Sequence, residues 1–162
     1  MTVTYKISNA VVLLTTGLLA GTFFYAKFNV LPTFWEVPIE THLRFRVALM
    51  QHNGITVQSL MAAAILSTIW FTWINGRQKV TCILAGFAIL LTIATFIITR
   101  FGNVPINAQI KTWVPTAPPA NWIDVLKTWD LYHTFRTVTA IGSFVVVLIA
   151  TFSKKIFLRS LP

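Results

Sequence analysis

Four uninterrupted apolar stretches, each about as long as a bilayer is thick, constrain this chain more than any other feature. An α-helix needs about 20 apolar residues to traverse the roughly 30 Å of hydrocarbon in a membrane. Such stretches run over about 9–28, 55–74, 80–99 and 135–152. A water-soluble domain is about a quarter charged, whereas here charged residues are 10%, hydrophobic residues 56% and mean hydropathy +0.72. The expected fold is all-α: one domain over 1–162, a membrane-embedded four-helix bundle with extended second and fourth helices.

The first run begins shortly after Lys6 and continues from Ala10 to about Phe28. It outlasts the apolar core of a signal peptide, about 7–15 residues, and is expected to be a retained span. Only Asn75-Gly76-Arg77-Gln78-Lys79 separates the second run from the third. So short a turn makes its two helices antiparallel neighbours.

Two helices should project past the bilayer. Pro38 suits a first helical turn, and His42, Phe45, Arg46, Leu49 and Asn53 recur at helical spacing, which predicts one helix over about 39–74. Gly54 is its weak point, costing up to about 1 kcal/mol against Ala. Pro118-Pro119-Ala120-Asn121 reads as a stop followed by an N-cap, with Asp124 placed for a capping-box-like contact, so the fourth helix should start near Trp122.

Charge separates the two ends. The net charge is +9 and the pI about 10.3, but the basic residues cluster at the ends of apolar runs. That placement anchors helices among lipid headgroups and leaves no basic face for nucleic acid. One end holds Lys6, Arg77, Lys79, Lys154, Lys155 and Arg159 with no acid. The other holds Lys27, Arg44, Arg46, Arg100, Lys111, Lys127 and Arg136 together with Glu36, Glu40, Asp124 and Asp130. The first set lies in very short segments, where the positive-inside bias is strongest, so both termini are expected in the cytoplasm. The lone cysteine, Cys82, has no partner for a disulfide and is expected to be a small buried side chain.

All three histidines fall at the second end. Trp129, His133, Arg136 and Ala140 share one helix face, with Asp130 beside them. Facing lipid, His133 and Arg136 would be costly; facing inward, they make a general base and a cation able to hold an anionic oxygen. The plainer alternative is an interfacial anchor, with the Trp in the headgroup belt and Arg136 snorkelling. His42 and Arg46, one turn apart, allow the same choice between a site and an amphipathic extension lying on headgroups. His52, on another face, is expected in solvent or in a structural hydrogen bond. Asn103 and Asn107 read first as turn and cap residues, and second as amides aimed into a cavity. No H-x-x-x-H or E-x-x-H pairing supports a histidine-ligated metal, and no cofactor is expected. Gly17, Gly21, Ser59, Gly86 and Gly142 suggest close helix packing.

The order Asn103-Val-Pro-Ile-Asn107, then Trp122, then Trp129, His133 and Arg136, together with Gly17-Leu-Leu-Ala-Gly21-Thr-Phe-Phe, resembles the anthrone-oxygenase-like family of small four-helix membrane proteins. Most members of that family have no assigned activity. The resemblance implies oxidation of an anthrone to an anthraquinone by molecular oxygen, without metal or flavin. It implies that Asp130 and His133 help remove an acidic ring proton and that Arg136 holds the enolate. Trp122 and Trp129 would line a cleft for a flat aromatic substrate, with Asn103, Asn107, His42 and Arg46 as further binding residues. The leading expectation is therefore an oxygen-dependent oxidoreductase acting on a flat, lipophilic, enolisable anthrone, phenol or quinol. The second is a non-enzymatic subunit that binds lipid, pairs with its own kind or packs on a larger membrane complex. A transporter, third, lacks an inverted repeat or a broken span to recommend it.

Overall fold

The computed structural model describes residues 3–76 and 78–159, with side chains described as far as Ser153. Arg77 and the side chains of Lys154, Lys155 and Arg159, used above to orient the chain, lie outside the described residues.

The chain forms four rods, each long and apolar enough to cross a membrane: Val3–Trp35, Ile39–Asn75, Lys79–Ile110 and Trp122–Ser153. The protein is a membrane-type four-helix bundle. Two rods are compound. In the first, α1 (Val3–Tyr25) passes through a π turn (Ala26–Val30) into the short α2 (Leu31–Trp35). The second rod is α3 (Ile39–Asn75), unbroken through Gly54. In the third, α4 (Lys79–Ile98) passes through another π turn (Thr99–Asn103) into α5 (Val104–Ile110). The fourth rod is α6 (Trp122–Arg159).

The two π turns carry the first and third helices past the apolar stretches, which run to about Phe28 and Thr99. Each turn ends just before an X-Pro step, at Leu31-Pro32 and Val104-Pro105. A proline inside an α-helix removes one hydrogen bond and crowds the preceding turn. Widening the turn to an i→i+5 bond, Leu31 N–H to the Ala26 carbonyl and Val104 N–H to the Thr99 carbonyl, accommodates both prolines without breaking the rod. The stretch after the third apolar run is thus a helical wall as far as Ile110 and a loop only beyond it.

Side chains sort by environment. Val12, Phe71, Ala85, Ala88, Val147 and Ala150 form one core layer, and Leu19, Phe23, Met61, Ala64 and Ala140 a second. Hydroxyl pairs join the rods: Thr15 with Ser67 at 2.7 Å, Thr92 with Ser143 at 2.8 Å and Thr95 with Thr139 at 2.8 Å. Lipid tails are as apolar as leucine, so packing and polar contacts of this kind, rather than water exclusion, hold helices together in a bilayer. Large apolar side chains such as Leu14, Leu66, Trp73, Ile83, Leu90 and Val138 point outward.

Small residues divide. Gly17 and Gly142 do pack closely, against Phe144 and Leu91, whereas Gly21 and Gly86 have open space beside them and Ser59 is exposed. Cys82 is exposed on the outer surface and not buried, because its helix turns the neighbouring Thr81 and Ala85 inward.

Candidate functional site

At the extended end a third core layer, Leu43, Ile110 and Leu126, ties the start of α3 and the start of α6 to α5. Just inside it the polar side chains collect. His133 and Arg136 on α6 are 1% and 8% exposed, and His42 and Arg46 on α3 are 1% and 3% exposed. Both pairs are buried inside the bundle and not on its outer surface, because the inward faces of both extensions are covered by the first rod and α5.

Trp129 sits at the centre. His133 stacks on it at 5.2 Å and 7°, and the guanidiniums of Arg46 and Arg136 lie 4.5 Å and 5.2 Å from its ring centre. Its indole N–H donates to Asn107 Oδ1 at 2.6 Å, and its backbone carbonyl accepts from Asn103 Nδ2 at 3.0 Å. Both amides therefore brace α6, and neither caps a helix. Asn103 has helical dihedrals within the π turn and no capping bond, while Asn107 falls inside α5. The wider turn rotates the residues that follow it, which sets the Asn107 face towards α6.

Asp130 joins three rods. Its carboxylate accepts from Trp35 Nε1 at 2.9 Å and from Arg46 Nη2 at 3.2 Å. Trp35 stacks on Trp122 at 6.2 Å and meets His42 edge-on at 5.5 Å. Phe34 stacks on His42 at 4.9 Å and lies 5.4 Å from the Arg46 guanidinium. All nine residues singled out from the sequence thus occupy one contiguous cluster. Asn53, expected on the His42 face, is exposed, and so is His52. Sequence reasoning missed Phe34 and Trp35, because the first rod was not expected to reach this far, and gave Phe23 no role in the site although it lies within the first apolar stretch. The Phe34-Trp35 pair just before Pro38 was the one signal available.

Arg136 donates from Nε to His133 Nδ1 at 2.9 Å, with Nη2 2.7 Å from the same atom. Arginine has no acceptor, so Nδ1 accepts and the proton of the neutral ring sits on Nε2. That N–H has no side-chain partner, and its one near acceptor is the Phe23 backbone carbonyl. Arg46 Nε and Nη1, His42 Nε2 and Asn103 Oδ1 are also buried without partners. A donor left unmade inside a protein costs about 1–3 kcal/mol, more for a charged group, and buried charges are ordinarily paired. Here Arg46 alone pairs with the one carboxylate, Arg136 has no acid in an ion pair among the described residues, and unpartnered polar atoms surround them. Such a cluster is chemically incomplete and suited to an acceptor or an anion. No three His, Cys, Asp or Glu side chains among the described residues converge as metal ligands would.

A sequence model of the family described as anthrone oxygenase matches residues 47–146. That span carries Asn103, Asn107, Trp122, Trp129, Asp130, His133 and Arg136 but stops short of His42 and Arg46. Comparison with curated proteins and with solved structures gives no match. With more than half its length covered by that match, the chain belongs to the anthrone oxygenase family.

Proposed function

We propose that this protein oxidises a flat, lipophilic, enolisable substrate of the anthrone, phenol or quinol type with molecular oxygen. The observation that carries the reading is the buried cluster of Arg46, Arg136, His133 and His42, with a single carboxylate and several unpartnered polar atoms. A substrate ring would lie along the aromatic wall of Trp129 and Trp122. Arg136 and the His133 Nε2–H would bind its carbonyl oxygen and hold the negative charge that develops there. His133 then acts as a donor, a role different from the general base that its spacing suggests, because Arg136 occupies Nδ1. Asp130, one turn from His133 and steered by Trp35 and Arg46, would take the ring proton. The electron-rich ring carbon would bond to oxygen, and loss of water from the resulting hydroperoxide leaves a ketone. For an anthrone the balance is CH2 plus O2 giving C=O plus H2O; for a quinol, loss of two hydrogens to O2 gives the quinone plus H2O2.

The non-enzymatic subunit expects Arg136 among headgroups, and its burial speaks against that reading. The test is oxygen uptake and quinone absorbance after adding an anthrone to the protein in lipid nanodiscs. Turnover above that of empty nanodiscs is the expected result. Absence of turnover with anthrone, phenol and quinol substrates alike overturns the reading.

A further inference from the structure

We propose that a groove on the outer face of the first rod is the mouth of this site for a flat lipophilic phenol, and that the Phe34 ring is its inner door. The proposal rests on the functional reading above. The groove, about 440 Å³, lies between the π turn and the start of α3. Its wall is largely apolar, from Val30, Val37 and Phe45, with Asn29 and Thr41 adding polar contacts. That mixture suits a molecule carrying an aromatic body and a hydroxyl at the membrane surface. Phe34 is common to the groove and to the buried cluster. It lines the one and stacks on His42 and under Arg46 in the other, yet it is only 6% exposed.

Behind that ring are His42 Nε2 and Arg46 Nε and Nη1, all buried and without partners on side chains at most 3% exposed. The first thing a phenol meets on passing Phe34 is therefore a cation and an imidazole with bonds to give, which supplies the charge complementarity for a phenolate or an enolate. Phe34 belongs to the five-residue helix Leu31–Trp35, which follows a π turn, contains Pro32 and ends at a short irregular link over 36–38. Turning one aromatic side chain between rotamers connects groove to cluster without moving a rod.

The test uses 1-naphthol, a flat phenol, and stopped-flow fluorescence on the protein in nanodiscs, with empty nanodiscs as the blank. Opening the door changes rates and leaves affinity nearly alone. Phe34→Ala should raise the association and dissociation rate constants together by about tenfold, within the range that variants of one site span. Thr41→Trp, an exposed groove position, fills the mouth and should slow both; Phe34→Leu, which keeps more of the core contacts, should lie between Phe34→Ala and the wild type. Binding that persists with wild-type rates in all three variants places the mouth elsewhere and overturns this proposal alone. Failure of the wild type to bind 1-naphthol saturably overturns the door alone where anthrone is still turned over, and overturns the functional reading with it where turnover is absent as well.

Discussion

Trp129 is crowded by positive charge. Two guanidiniums lie within 5.2 Å of its ring centre, and one of them, Arg136, is hydrogen-bonded to His133 with no acid in an ion pair with it among the described residues. An aromatic face offsets part of the cost of burying a cation, about 2 kcal/mol or more where water is excluded. It cannot replace a counter-charge, which under the proposed function a substrate oxygen would supply. Arg136→Gln should therefore lower turnover by about 10²–10³-fold, the usual loss on removing one oxyanion donor, while the melting temperature in nanodiscs holds or rises. A parallel loss of fold would mean that Arg136 is structural. Asp130→Asn should behave differently, because it strands the buried Arg46. Breaking one side of a buried pair costs about 3–5 kcal/mol, and a double-mutant cycle with Arg46→Met should recover part of it. Additive losses in that cycle would show that the 3.2 Å contact contributes little.

The rods bring the cluster together through one close approach. A Cβ built on Gly102 would stand 2.6 Å from the Tyr132 ring, so α6 reaches the π turn only because that position is bare. Gly102→Ala should destabilise the protein by about 1–3 kcal/mol, as overpacking does, and should lower turnover by displacing α6 next to His133. Tyr132→Leu in that background should restore stability in thermal unfolding; no recovery would place the cause elsewhere. These elements also show what can be read from residues alone. The face of α6 that carries Trp129, His133 and Arg136 was legible because a period of 3.6 residues and the cost of a charge in lipid lead to the same side. The extension of α3 from Ile39 was legible from the position of Pro38. The helical course of 26–35 and 99–110 was not, since local sequence reads an X-Pro step as a stop and only tertiary packing makes a π turn worth forming. The misreading of Asn103 and Asn107 as caps follows from it: residues expected at a helix end lie within a rod and turn towards α6.

Across the whole molecule, polarity runs along the bundle axis. The extended end carries every acidic residue and the buried polar cluster, while Lys6 and Lys79 stand at the other end among hydroxyl-linked, closely packed rods. The bundle is closely packed at one end and gathers its aromatic and charged side chains at the other. The basic residues of the short segments, including those outside the described residues, set the expected orientation, with both termini in the cytoplasm and the cluster at the opposite membrane face. A reporter active only in the cytoplasm, fused at either terminus, should be active, and one placed in the 111–121 loop should be silent. The reverse pattern would put the cluster on the cytoplasmic face, where products would be released inward. Changing Lys79 together with Lys154 and Lys155 to Gln should weaken the orientation more than changing Arg44, Lys111 and Lys127 does. The two sets are equal in charge and differ in the end of the bundle they occupy, so an equal response would remove charge placement as the cause of the topology.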